Sequence, residues 1–136
     1  MNRQLLRLKY ETYQQNGTAV FAVTLSTYVK DDRYAASDVM RRYWDRDFIY
    51  RVKTCLPVRA KIDHDWVLER SPAGHFHAHG FLAVERAHAD TIWRNGALRK
   101  KLGRAIDSHA IAGKYRSFCV NAHQIEPVTN VAAWCR

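Results

Sequence analysis

Long apolar runs are absent from this 136-residue chain. No stretch approaches the roughly 18 consecutive apolar residues of a membrane-spanning helix, and the opening MNRQLLRLKYETYQQ has no apolar signal-peptide core. Cysteine is scarce: Cys55, Cys119 and Cys135 form no CxxC pair and no even set. That excludes a disulfide framework and a thiolate zinc finger, and it suits a reducing, cytoplasmic compartment. With only 6 glycines and 3 prolines there is no linker-like tract. No repeat appears either, so residues 1–136 read as one domain. Acidic side chains are outnumbered, 13 Asp plus Glu against 22 Lys plus Arg, leaving a net charge of +9. An excess that large predicts an acidic partner, and without a membrane segment nucleic acid is the first candidate. Apolar residues, at 47%, are sufficient for an ordinary core and exclude disorder.

Periodicity then divides the chain. Leu5, Leu6, Leu8 and Tyr13 predict a short helix over 2–15, ended near Asn16-Gly17. In TAVFAVTLST (18–27), Phe21, Val23 and Leu25 alternate with Thr24 and Ser26, the pattern of a half-buried strand. Ser37 is the expected N-cap of a helix reaching about Cys55, with Met40, Trp44 and Phe48 as its buried stripe. VRAKIDHDWVLE (58–69) and HFHAHGFLAVE (75–85) predict two strands joined by the RSPAG turn. A further helix is expected within 89–107, a last strand at 114–125, and a helix opening in VTNVAAWCR. The order strand–helix–strand–strand–helix–strand, flanked by helices, predicts an α+β fold: a ferredoxin-like antiparallel sheet packed against helices on one face.

The stretch from Gly74 to Leu82 carries the chemistry. Strand alternation puts His75, His77 and His79 on one face and Phe76, Ala78, Leu82 and Val84 on the other. Imidazoles two residues apart on a strand lie roughly 6–7 Å apart, near enough to converge on one cation. Glu69, just before the turn, can reach the same face across the hairpin. Two imidazoles and a carboxylate with open positions suit Mn²⁺, Mg²⁺ or Fe²⁺ and accept Zn²⁺. A surface strand that merely carries three histidines is the plainer alternative, and it leaves the acid at hairpin distance unexplained.

This strand resembles the His-hydrophobe-His signature of the HUH endonucleases, especially the rolling-circle replication initiator (Rep) proteins. In those families a Glu across a short hairpin turn completes the metal site. Here Glu69 stands eight residues before His77, and Gly80-Phe81-Leu82 continues the strand. On that register the resemblance implies Glu69, His77 and His79 as ligands of Mn²⁺ or Mg²⁺. His75 and His123 are then additional candidates for a metal or DNA contact. Phe21-Ala22-Val23-Thr24-Leu25-Ser26 matches the first Rep motif, so the resemblance covers most of residues 18–136. It implies nicking and joining of single-stranded DNA at a replication origin through a 5′-phosphotyrosine, in plasmid or virus replication, with a helicase domain or host replication proteins as further partners.

The family's tyrosine, on a helix after the last strand with Lys three residues later, has no match. VTNVAAWCR looks like its run-up, which places the expected tyrosine just beyond Arg136. Tyr115, with Phe118 where that Lys would stand, suits packing or a DNA contact better than nucleophilic attack. For the phosphate backbone the candidates are Arg41, Arg42, Arg46 and Arg51, then Arg99, Lys100, Lys101 and Arg104, with Arg3, Arg7 and Lys9. Each alone is equally an ordinary solvated helix face. Trp66 and Tyr115 are candidates for base stacking, and Trp44, Trp93 and Trp134 for core packing. Alternatives are a single-tyrosine transposase, a non-catalytic ferredoxin-like nucleic-acid-binding domain, and a hydrolase unrelated to DNA, against which the charge argues.

Overall fold

The structure, a computed structural model, describes residues 2–30, 32–72, 74–93 and 120–135. The first helix, α1 (Arg3–Gln15), starts where the Asn2 side chain accepts from the Leu5 N–H. It buries Leu6 and Tyr10, and it ends at Asn16 and a left-handed Gly17 (φ 81°). Strand β1 (Ala19–Lys30) follows. A helical segment comes next: α2 (Arg33–Arg42), a π-helical turn (Tyr43–Phe48) and α3 (Ile49–Thr54). Its N-cap is Asp32, whose side chain accepts from the Ala35 N–H, and not Ser37, which lies inside α2. A four-residue repeat runs ahead of a 3.6-residue turn. Widening the helix at 43–48 keeps Met40, Trp44 and Phe48 buried in one row.

The hairpin β2 (Ile62–Arg70) and β3 (His75–Val84) leads through a 3₁₀ turn (Arg86–His88) into α4 (Ala89–Trp93). After the undescribed residues come β4 (Val120–Pro127) and α5 (Val131–Trp134). The four strands pair antiparallel in the order β2-β3-β1-β4. An α+β architecture is therefore observed, with one difference from expectation: helices pack on both faces of the sheet. Phe21, Val23, Leu25, Ala78, Leu82 and Val84 form one core with Trp44, Phe48, Val52 and Ile92 from the segments that cross between strands. Val20, Ala22, Phe81 and Ala83 form a second core with Leu6 and Tyr10 of α1, Val128 of the β4–α5 connection and Val131 of α5. The cause is legible in the central strands. Val20–Val23 and Phe81–Val84 are apolar at both parities, so each of their faces needs a cover.

Polar bonds fasten α1 over that second face. Lys9 Nζ lies 2.9 Å from Asp63 and 2.7 Å from Asp65. The Tyr10 hydroxyl donates to Asp65 (2.9 Å) and that of Tyr13 to Asp63 (2.6 Å). Burial pushes the Asp63 carboxyl up, but the hydrogen bonds from Tyr13 and Lys9 prevail and hold it below the usual value. A lowered carboxyl pKa contributes stability above its unfolded value, and that contribution disappears as pH falls through the folded one. Asp63→Asn should therefore cost about 1 kcal/mol or less in urea unfolding at neutral pH. The gap to wild type should close in acid, and a gap of constant size across that range would contradict the assignment.

Candidate metal centre

The hairpin register builds the site. Glu69 pairs directly with His77, and the next inward pair on the same face is Val67 with His79. On its other side β3 pairs with β1, which sets Ser26 opposite His77 and Thr24 opposite His79. Between the histidines, Phe76 and Ala78 are buried against the helix layer of the opposite face. His77 and His79 thus share a face of the sheet with Phe81 and Ala83, at the end of that face beyond the α1 core.

Within this group, His77 Nε2 stands 3.5 Å from Glu69 Oε2, both side chains half-buried. That is long for a hydrogen bond but matches two ligands about 2.1 Å from a shared cation, whose spacing is roughly 3.0–3.5 Å. His79 Nδ1 lies 3.3 Å from Thr24 Oγ1, while its Nε2 is buried without a hydrogen-bond partner. Burial lowers the His79 pKa, opposing the pull of Glu69, so the ring favours the neutral form that binds metals. The ring is bounded by Trp134, stacked at 6.4 Å and 27°, and by the edge of Phe81 at 6.3 Å. Arg3, on the first turn of α1, approaches Glu69 at 3.5 Å and is half-exposed.

An acid, two imidazoles and an orphaned buried nitrogen on one face fit a divalent cation. Among the described residues, however, no three His, Cys, Asp or Glu side chains are already gathered tightly enough to hold one. Glu69 and His77 are together, and His79 sits two rungs along. His75, at the start of β3, is tied to the hairpin turn through its N–H to Ser71 Oγ and its carbonyl to the Ser71 N–H. His123 pairs with Leu25, the row of Ala78, and is therefore not on the rows of His77 or His79.

No family model, curated protein or solved structure matches this chain.

The basic candidates divide by face. Arg41, Arg42 and Arg46 lie on the helical segment that packs against the sheet face opposite the histidines. Arg41 lines an open cleft between α2 and β2 with Ser37, Asp45 and Trp66, and Arg42 is paired with Asp38. Trp66 also belongs to that opposite face, packed 6.3 Å from Trp44. The helix-bound charge on the histidine side is Arg3, Arg7 and Lys9 of α1. Arg99, Lys100, Lys101, Arg104 and Tyr115 lie outside the described residues. Among the described residues no helix is long and apolar enough to cross a membrane.

Trp134 packs against the second core, as expected; sequence reasoning missed its ring contact with His79 and the particular pairing of Thr24 with His79. The signal for Thr24 was present in the alternation of β1, which set Thr24 and Ser26 on the polar face. Only the register shows which histidine each one meets.

Proposed function

We propose that this chain is a metal-dependent domain that nicks and joins single-stranded DNA, of the HUH endonuclease type and nearest to the Rep proteins. One observation carries the proposal: Glu69 and His77 face each other 3.5 Å apart beside His79, whose buried Nε2 has no partner. The element order β–α–β–β–α–β, with β1 and β3 central, supports a ferredoxin-like core for it.

In this reading Glu69, His77 and His79 hold Mn²⁺ or Mg²⁺ on the sheet face. The bound cation supplies Lewis-acid stabilisation of the charge that builds on a scissile phosphate. Thr24 and Trp134 limit the motion of the His79 ring. Arg3, already beside Glu69, adds a second positive group for the phosphate. The nucleophile this reading requires is a tyrosine. Its phenol oxygen forms a bond to phosphorus as the bond to the 3′-oxygen breaks, the proton passing to the departing hydroxyl.

The non-catalytic nucleic-acid-binding reading keeps the charge argument and is favoured by the ungathered ligands. A salt titration of single-stranded DNA binding, with and without Mn²⁺, separates the two. Affinity should fall with salt, the log–log slope being roughly −0.7 per neutralised phosphate. Mn²⁺ should tighten binding in the wild type and not in Glu69→Ala. A salt-independent affinity overturns DNA as the partner, and an Mn²⁺ response equal in both proteins removes the catalytic reading.

A further inference from the structure

The outer edge of β2 is open in one place only. The strand ends the sheet, with β3 on one side of it. In the hairpin turn the Ser71 N–H donates to the His75 carbonyl at 2.8 Å, which makes that rung a hydrogen-bonded one. Antiparallel rungs alternate, so Glu69, Val67 and Asp65 bond across to β3, while Leu68, Trp66 and His64 turn their N–H and C=O groups outward. Two side-chain bonds agree with this parity. The Leu68 carbonyl accepts from Arg33 Nη2 at 3.3 Å, and the His64 N–H donates to Asp63 Oδ1 at 2.8 Å. Between these two caps, the His64 C=O, the Trp66 N–H and C=O and the Leu68 N–H find no partner among the described residues.

That window borders a cleft of about 530 Å³, whose other wall is the exposed Arg41 with Ser37 and Asp45. The size falls within the roughly 300–1,000 Å³ usual for small-ligand sites. Half-buried Trp66 and Leu68 supply its apolar surface. The Asp65 carboxylate is turned away, held by Lys9 and Tyr10 on the opposite face.

A backbone donor beside an acceptor, with a cation across the cleft, matches two kinds of ligand. An extended peptide would pair as a further strand, but its rungs on either side of Trp66 would each meet a capped group, and both caps would have to give way. A nucleobase needs only a neighbouring donor and acceptor, which each base carries on its Watson–Crick edge. The phosphate that accompanies a base complements Arg41, in a chain whose net charge is +9.

We infer that the cleft between α2 and the edge of β2 holds one unpaired base of a nucleic-acid strand, its pairing edge on the Trp66 N–H and C=O and an adjoining phosphate on Arg41. In a duplex that edge is already occupied, so the cleft selects single strands. This rests on the reading of nucleic acid as the partner and is independent of the metal centre, which lies on the other face of the sheet.

The test follows the Trp66 backbone amide by nitrogen-15 NMR as short oligothymidylate is added to the full chain in the presence of a chelator. The amide signal should move saturably with the single strand and stay in place when the strand is first annealed to oligoadenylate. Methylation of the thymine N3 removes the donor of the base and should weaken binding about 2–10-fold, the worth of one hydrogen bond. Arg41→Ala, at an exposed position, should lower affinity and reduce the magnitude of the log–log salt slope by roughly 0.7, which a merely structural role would not do. Oligothymidylate that binds without moving the Trp66 amide, or binds equally well when methylated, overturns the cleft as a base site and leaves nucleic acid standing as the partner. Failure of any single strand to bind removes that partner, and the inference with it.

Discussion

Gly80→Ala will destabilise the domain by about 3 kcal/mol or more, beyond the usual cost of overpacking a core. A Cβ at this position would stand 2.1 Å from the Asp65 carbonyl oxygen, 2.9 Å from the Trp66 Cα and 2.9 Å from Trp44 Cη2. The first two are backbone atoms of the paired strand β2 and cannot turn aside as a side-chain tip can. Relief requires β2 to move away from β3, which separates the rungs that join Glu69 to His77 and Trp66 to Gly80. Trp44 is fully buried, and its indole N–H donates to His64 Nδ1 at 3.0 Å, so displacing it disturbs a second contact. Urea unfolding should show the loss, and Mn²⁺ affinity should fall with it. Near-wild-type stability in Gly80→Ala would mean that the two strands are not as close as described.

The second large effect concerns the histidines. In wild type, Mn²⁺ at about 100 times its dissociation constant should add about 2.7 kcal/mol of stability, since only the folded chain assembles the ligands. For a domain of this size that corresponds to roughly 5–15 °C in melting temperature. His77→Ala/His79→Ala should lose the whole shift while folding normally without metal. Both side chains occupy a half-buried polar end of the sheet rather than either core, and His79 Nε2 is already unsatisfied there. Removing an orphaned buried nitrogen costs little and can raise the metal-free stability slightly. An Mn²⁺ shift of equal size in both proteins would place the ion elsewhere.

Much of this arrangement was legible in the chain. The alternation of TAVFAVTLST and HFHAHGFLAVE fixed which residues share a face, and the short RSPAG turn set Glu69 against the histidine strand. What escaped was everything that depends on neighbours distant in sequence. Period-2 reading of β3 assigned Leu82 and Val84 to the core and left Phe81 and Ala83 without one. Only α1 and α5 reveal that these fill a second core. The histidine parity of β4 suggested that His123 approaches the metal, but a strand's parity says nothing of its register, and pairing with Leu25 decides the row. Arg41, Arg42 and Arg46 are candidates from the sequence for contacts to a DNA backbone. No local pattern indicates which side of the sheet a helix will cover, and this one covers the side away from the histidines. Trp134 is the core aromatic its apolar character suggests, and only the fold shows that its ring also lies over His79.

The decisive measurement is calorimetric titration of Mn²⁺ into the wild-type chain and into Glu69→Ala. Saturable binding of one ion per wild-type chain, lost or weakened at least tenfold in Glu69→Ala, is the outcome that a Glu69–His77–His79 centre predicts. Absence of saturable binding in the wild type, or equal binding in the two proteins, would contradict it.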